Sequence, residues 1–117
     1  LAAELQTATL VLLPQPLGKK GEGGISLKNG TLGAAMAAGQ PVIATSGDMT
    51  DTGQLVHGHS IHLLSQNTDQ SWSLAIRQVL DDSSYRAKLG QEAFQFYNNH
   101  LTWQIVGSQL EKLLMKR

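Results

Sequence analysis

The chain contains no cysteine, and the other scarcities in its composition also exclude classes of function. Without thiols there are no disulfides, no thiolate zinc sites and no thiol nucleophile, which suits a cytoplasmic protein. Nine basic residues balance nine acidic ones, so the charge gives no reason to expect a nucleic-acid partner. The apolar run at residues 10–13 stops at Pro14, far short of the roughly 18 residues that a transmembrane helix needs.

The 117 residues are enough for one domain with a modest core, and strand and helix patterns alternate along them. Apolar segments predict two buried strands, at residues 7–14 and 41–46, the first covered by helices on both faces. Residues 60–65 predict a weaker strand at a sheet edge. The predicted fold class is therefore α/β, with a Rossmann-like parallel sheet of about three strands, flanking helices and a helical C-terminal end. The chain opens inside the pattern of a helix end, which predicts that residues 1–117 are a single, truncated domain.

Capping residues and apolar residues at helical spacing predict the helices. A short helix of small residues is expected from Gly30 or Thr31 to Ala38, with Gly39 as its left-handed cap. The pair Asn98-Asn99 is expected to break a later helix. Three helices follow the strands, capped by Thr68 or Asp69, by Asp82 or Ser83, and by Thr102.

The loop that leads into the short helix is the strongest functional signal. Residues 15–30 hold five glycines and three lysines, a composition that predicts a mobile loop. A loop followed by a helix presents unpaired backbone N–H groups and the positive end of the helix dipole, a combination that binds phosphate. Lys28 adds a cation, and Ser26 and Thr31 add hydroxyl groups. The predicted phosphate- or nucleotide-binding residues are Ser26, Lys28, Asn29, Gly30, Thr31 and Leu32.

A second interpretation of this loop needs no ligand. Thr31 then acts as an ordinary helix N-cap, which stabilises a helix by about 1 kcal/mol. The loop matches neither the dinucleotide-binding fingerprint nor the P-loop, so the motif alone does not decide between the two interpretations.

Other polar residues are also open to a functional interpretation. His57, His59 and His62 are of a type that binds zinc, but alternation along a strand puts His62 opposite Ile61 and Leu63. No neighbouring carboxylate completes a site, so no metal is predicted. His100 is interpreted as a capping or surface residue.

Three carboxylates near the predicted loops are candidates for catalysis. Asp48 and Asp51 follow a strand, at the edge where α/β proteins bind ligands, and Asp51 either contacts a ligand or caps a helix. Glu22 is either a catalytic acid or a solvated loop charge. The sequence assigns no catalytic residue.

Several segments share their order and spacing with a known family. Residues 35–45 read Ala-Met-Ala-Ala-Gly-Gln-Pro-Val-Ile-Ala-Thr, and a Leu-Val-His-Gly turn, a Leu-Leu pair, a helical run opening at Asp69 and the Thr102-Trp103 pair follow. Over essentially the whole chain they resemble the C-terminal, nucleotide-sugar donor-binding domain of a GT-B-fold, group 1 type glycosyltransferase. Many members carry a Glu-x7-Glu pair that contacts the donor, whereas this chain has Ser26 and Ala34 there. Residues 24–31 instead resemble a variant, Gly-Val-Ser-x-Arg-x-Gly-Ser/Thr, found in a subset of the family.

The resemblance implies a parent enzyme that moves a hexose from a nucleotide-diphosphate sugar to a glycan, lipid or small acceptor. Lys28 and the helix start at Thr31 are expected to stabilise the leaving diphosphate, with no cofactor and no obligatory metal. Because the acceptor-binding N-terminal domain is missing, the chain alone is expected to be inactive. Its exposed sheet edge is expected to make it self-associate.

Two alternatives stay open at this point. One is a non-catalytic, degenerate transferase module used for assembly or ligand binding, which the missing glutamate pair favours. The other is a different sugar-phosphate enzyme on the same fold, such as an epimerase, with Glu22, Asp48 or Asp51 as its acid. The parent protein is expected in the cytoplasm, with peripheral attachment to a membrane left open.

Overall fold

A computed structural model of the chain describes residues 10–101. The predicted helix end at residues 1–6, the start of the first predicted strand and the final helix with Thr102 and Trp103 lie outside these residues. Within them, three parallel strands form one sheet in the order β1 (Val11–Leu13), β2 (Val42–Thr45), β3 (His62–Leu64). The predicted α/β class and parallel sheet are confirmed.

The helices lie where the capping residues predict them. Helix α1 (Gly30–Ala37) connects β1 to β2, and α2 (Asp69–Asp81) and α3 (Ser83–Phe96) follow β3. The N–H of Ser71 donates to the Thr68 hydroxyl over 3.2 Å, which makes Thr68 the cap of α2. The N–H of Tyr85 donates to the Asp82 carboxylate over 3.0 Å, which makes Asp82 the cap of α3.

The predicted helix break at Asn98-Asn99 is wrong. The chain continues after α3 through a π-helical turn, Tyr97–Leu101, that contains both asparagines. The N–H of Tyr97 donates to the carbonyls of Ala93 and Phe94, so hydrogen bonding continues across the junction. A π turn accommodates an extra residue without ending the helix, and poor helix formers are tolerated there.

The core lies on both faces of the sheet. One face packs against α1 and α3, and its buried residues include Val11, Leu13, Val42, Ala44, Leu32, Met36, Ala93 and Phe96. The other face packs Ile43 against Ala75, Val79 and Leu89. Every residue of β2 is buried, as predicted, whereas Leu12 in β1 is 43% exposed. Leu12 faces α2 across a cavity that Trp72 and Ile76 also line, so the described helices pack less closely on this side of β1 than on the side of Val11 and Leu13.

Two glycines bring α1 and α3 into close contact. Gly39, just after α1, has φ of +69°, the left-handed conformation predicted for it. Gly90 of α3 packs against its carbonyl, so closely that a Cβ at Gly90 would lie 2.5 Å from the Gly39 oxygen. This contact fixes the C-terminal end of α1 against the middle of α3.

Candidate functional site at the carboxyl edge of the sheet

The loop before α1 lies at the carboxyl end of the central strand. The N–H of Ile25 donates to the carbonyl of Thr45, the last residue of β2, over 2.8 Å. Because α1 leads back to the start of β2, its N-terminus faces the same edge as this carbonyl. In open α/β sheets that edge is where ligands bind.

Asn29, not Thr31, caps α1. The Asn29 side-chain oxygen accepts a hydrogen bond of 2.9 Å from the Leu32 N–H, and the Asn29 backbone is extended. Asparagine is among the best N-cap residues, and Gly30 follows it as the first helical residue. The interpretation of Thr31 as an ordinary N-cap is therefore wrong, and its hydroxyl is not used in capping.

Two backbone N–H groups at the start of α1 donate to nothing in the described part of the chain. They belong to Gly30 and Thr31. The neighbouring donors are occupied: Asn29 N–H donates to the Ser26 carbonyl over 3.1 Å, and Lys28 N–H donates to the Ser26 hydroxyl oxygen over 3.3 Å. Free N–H groups at a helix N-terminus carry partial positive charge, so the arrangement can receive an anion.

The six predicted residues thus divide into three groups. Lys28 and Gly30 are exposed, and Thr31 is half-buried, so these three are available to a ligand. Ser26 and Asn29 shape the loop through their hydrogen bonds. Leu32 is fully buried in the core, and its N–H is taken by the cap.

The glycine-rich loop forms a short hairpin. Leu17 and Gly23 form an antiparallel bridge, and the N–H of Gly18 donates to the Glu22 carbonyl over 2.9 Å. Gly21, Gly23 and Gly24 all have positive φ, which glycine adopts readily. The prediction that residues 15–30 form a loop rather than a helix is confirmed for this segment.

Hydrogen bonds join this hairpin to the loop that follows β2. The N–H of Asp48 donates to the Gly21 carbonyl, and the Asp48 carboxylate accepts from the Gly23 N–H over 2.8 Å. Gly24 and Gly47 touch, since a Cβ at Gly24 would lie 2.2 Å from the Gly47 nitrogen. The two loops therefore form one hydrogen-bonded unit beside the N-terminus of α1.

Two buried threonines join the same loops, and the sequence did not single them out. The Thr45 hydroxyl donates to the Gln15 carbonyl over 2.6 Å and accepts from the Gln15 N–H over 2.8 Å. The Thr50 hydroxyl donates to the Ile25 carbonyl over 2.6 Å. No local pattern marks either threonine, and only the long-range pairing reveals these roles.

The three candidate acids all serve the backbone. Glu22 accepts from the Lys20 N–H over 3.0 Å, Asp48 from Gly23, and Asp51 from the Gly53 N–H over 3.1 Å. Asp51 thus closes a turn two residues on and does not cap a helix. Their local hydrogen bonds explain all three carboxylates, which weakens the epimerase alternative.

The histidines have different neighbours. The rings of His57 and His62 lie 4.5 Å apart in an edge-to-face contact, and His62 Nδ1 lies 2.6 Å from the Tyr85 hydroxyl. His62 does lie across the strand from Ile61 and Leu63, whose side chains join the other core cluster. His59 instead lies 3.7 Å from Glu92. No group of three metal-ligating side chains occurs within residues 10–101.

Two cavities open elsewhere on the described surface. One, of about 430 Å³, lies between β1 and α2 and is lined by Leu12, Trp72 and Ile76 among others. The other, of about 380 Å³, lies beside the C-terminal half of α3. Neither of these two is lined by residues 26–32. Within residues 10–101, none of the helices has the length and apolar character to span a bilayer.

No family model matches the chain. In sequence it is similar to the D-inositol 3-phosphate glycosyltransferase of Corynebacterium aurimucosum, 34% identical over 80 residues. This match covers 68% of the chain and 16% of the relative, so the chain spans only a small part of that protein.

In structure the chain is similar to Anabaena Alr3699/HepE. The TM-score is 0.75 to the complex with UDP and 0.73 to the complex with UDP-glucose, with 18% identity in both. Each match covers 97% of this chain and 29% of the other. The resemblance found in the sequence is confirmed: the chain is similar in sequence to a glycosyltransferase, and it has the α/β fold of a GT-B C-terminal domain.

Proposed function

We propose that this chain is the donor-binding part of a glycosyltransferase that moves a hexose from a nucleotide-diphosphate sugar to a glycan, lipid or small acceptor. The observation that carries the proposal is the pair of unpaired N–H groups at Gly30 and Thr31, beside the exposed Lys28. The named activity of the Corynebacterium relative and the UDP and UDP-glucose complexes of the Anabaena protein support it.

The proposed chemistry is electrostatic. When the sugar leaves a nucleotide diphosphate, negative charge accumulates on the departing phosphate oxygens. Donors that are already oriented toward that charge stabilise it without reorganising, which lowers the barrier. The N–H groups of Gly30 and Thr31 are held by the Asn29 cap, and Lys28 supplies a mobile cation. The nucleotide sugar is a substrate, and no cofactor is assigned.

The degenerate, non-catalytic module is the second candidate. The observation that favours it is that Ser26 and Ala34 occupy the positions of the glutamate pair, so neither position offers a carboxylate to the donor. The Ser26 hydroxyl oxygen accepts from the Lys28 N–H, which keeps the loop shaped for an anion. The two candidates differ in whether the parent protein turns over a bound donor.

The first test is a titration of UDP and GDP into this chain and into the longer parent protein. Gly30→Pro removes one free N–H at the first helical position, where proline is tolerated, and the extended Asn29 backbone is compatible with a following proline. Gly30→Ala keeps the N–H, and its Cβ meets no atom within 4 Å, so it is the matched control. We expect UDP binding to weaken about tenfold in Gly30→Pro and to stay unchanged in Gly30→Ala.

A second pair of variants tests the cation. Lys28→Ala is expected to weaken UDP binding by a similar factor, whereas Lys20→Ala removes an exposed lysine from the hairpin turn and should not. If the parent binds UDP but these variants leave binding unchanged, the donor phosphates lie elsewhere. If neither protein binds UDP or GDP, the proposal fails and the degenerate module is favoured.

The acceptor site is assigned to the N-terminal domain of the parent, and the chain alone is proposed to be inactive. Its self-association through the outer edge of β1 stays a prediction. Light scattering of the purified chain tests it, and a monodisperse monomer would contradict it.

A further inference from the structure

The loop before α1 is anchored at Ile25, the residue that directly precedes Ser26. The N–H of Ile25 donates to the Thr45 carbonyl over 2.8 Å, and its carbonyl accepts from the Thr50 hydroxyl over 2.6 Å. The Ile25 side chain is fully buried in the core. The start of the loop is therefore held by the end of β2, by the core and by the side chain of Thr50.

The Thr50 side chain joins two loops from a buried position. Its hydroxyl donates to Ile25 and accepts from the Gly47 N–H over 3.1 Å, and the Thr50 N–H donates to the Gly47 carbonyl over 3.1 Å. A hydroxyl group has a single proton to donate, and here that proton is directed at Ile25. Because the hydroxyl both donates and accepts, its orientation is fixed, and it sets the distance between Ile25 and the loop after β2.

A short turn transmits the position of Ile25 to the start of α1. Only Ser26 to Asn29 lie between Ile25 and Gly30. The Ser26 carbonyl accepts from the Asn29 N–H, and the Asn29 side chain caps α1. A displacement of Ile25 therefore moves the whole turn, including Lys28 and the free N–H of Gly30.

We propose that Thr50 is a positioning residue for the donor phosphates. Its hydroxyl holds Ile25, and Ile25 in turn fixes the turn that carries Lys28 and leads to the free N–H groups of α1. Groups that are already oriented bind an anion without the cost of ordering them, so loss of the hydroxyl weakens binding. This inference rests on the proposed donor site. A threonine that only stabilised the fold would change the free energy of unfolding and leave the affinity of the folded chain for UDP unchanged.

The test titrates UDP into this chain and into the longer parent protein, each as Thr50→Val, Thr50→Ser and Thr45→Val. Thr50→Val keeps the shape of the side chain and removes the hydroxyl, whereas Thr50→Ser keeps the hydroxyl. Thr45→Val is the matched control, because it removes a buried threonine hydroxyl that bonds to Gln15, two residues after β1. Thermal unfolding of each variant is recorded first, and UDP affinity is measured below the onset of unfolding.

We expect UDP affinity to fall about fivefold in Thr50→Val and to stay within about twofold of the original value in Thr50→Ser and Thr45→Val. Equal losses in Thr50→Val and Thr45→Val would overturn the inference, since they would report a general loss of stability. A loss in Thr50→Ser as large as that in Thr50→Val would also overturn it, since the hydroxyl would then have no role.

Gly30→Pro and Gly30→Ala, measured alongside, separate this inference from the donor site itself. If Gly30→Pro weakens UDP binding and Thr50→Val does not, the donor site stands and the role of Thr50 fails. If neither protein binds UDP, or Gly30→Pro leaves binding unchanged, the donor site fails and the inference fails with it.

A second measurement needs no variant, so it applies even if Thr50→Val does not fold. Coupling between two sites is reciprocal, so UDP must stabilise the Thr50 hydrogen bonds if these bonds favour UDP binding. With saturating UDP, hydrogen exchange of the Gly47 N–H, which donates to Thr50, should slow about fivefold more than that of the Gln15 N–H, which donates to Thr45. Equal slowing of the two N–H groups would overturn the inference.

Discussion

The Nδ1 atom of His62 lies 2.6 Å from the hydroxyl oxygen of Tyr85, which ties β3 to the first turn of α3. His62 is buried, and burial together with the neighbouring His57 lowers its pKa from 6.5 to about 4. Burial raises the pKa of Tyr85, so its hydroxyl stays protonated at neutral pH and can donate to the neutral imidazole. At neutral pH the contact therefore joins a neutral imidazole to a neutral hydroxyl group.

This relationship predicts that the chain loses stability in mild acid. In the unfolded chain His62 takes up a proton near pH 6.5, whereas in the folded chain it does so only near pH 4. The unfolded state therefore binds more protons in that window, and the free energy of unfolding falls as the pH falls through it. We expect a loss of about 1 to 2 kcal/mol between neutral pH and pH 5, measured by urea unfolding.

His62→Gln should be less stable than the unsubstituted chain at neutral pH, and its stability should depend less on pH. His100→Gln is the control, because His100 is exposed and should leave the pH slope unchanged. If the free energy of unfolding depends on pH equally in His62→Gln and in the unsubstituted chain, the acid sensitivity comes from other groups.

Thr45 provides a second prediction, since its hydroxyl both donates to and accepts from the backbone of Gln15. Thr45→Val keeps the shape of the fully buried side chain but leaves both backbone groups of Gln15 unpaired. We expect a loss of about 2 kcal/mol in urea unfolding. Thr45→Ser keeps the hydroxyl and removes one methyl group, so it should lose only about 1 kcal/mol. A serine variant less stable than the valine variant would contradict the role of the hydroxyl.

Gly24 and Gly21 form a matched pair in the hairpin, because both have positive φ but only Gly24 is crowded. The Cβ of an alanine at Gly21 would meet no atom within 4 Å. Gly21→Ala should therefore lose only the free energy that the left-handed backbone costs an alanine, about 1 kcal/mol. An alanine at Gly24 would also collide with the Gly47 backbone and should cost about 3 kcal/mol or more. Thermal unfolding of the two variants measures the difference. Equal losses would show that the two loops do not pack as described.

Local signals in the sequence were sufficient for the parallel strands and most helix starts. Thr68 and Asp82 cap helices through residues three positions away, and the all-apolar β2 predicts its own burial. The errors arose where residues far apart in the sequence determine the local structure or burial. Leu12 is apolar yet 43% exposed, because it lines a cavity that α2, a helix from a distant part of the sequence, leaves open.

The candidate site divides in the same way. The position of the loop before α1 followed from glycine, lysine and helix signals within one segment, although the cap is Asn29. Thr45 and the His62–Tyr85 contact pair residues 23 or more positions apart, which no local pattern shows. The Thr50 hydroxyl likewise joins the loop after β2 to Ile25, and only the folded chain brings these segments together.

The last prediction contrasts two helical glycines whose replacement by alanine should have opposite effects. Gly33 lies inside α1, and a Cβ there meets no atom within 4 Å, so Gly33→Ala should gain about 0.5 to 1 kcal/mol from the reduced entropy of the unfolded chain. Gly90 lies inside α3, where a Cβ would lie 2.5 Å from the Gly39 carbonyl oxygen. Gly90→Ala must therefore separate α3 from the end of α1, and we expect a net loss of about 2 kcal/mol. Urea unfolding measures both changes, and the propensity term is the same in each variant. If the stability changes of Gly33→Ala and Gly90→Ala have opposite signs, their difference reports the α1–α3 contact alone. A gain in stability in Gly90→Ala would show that the two helices do not touch there.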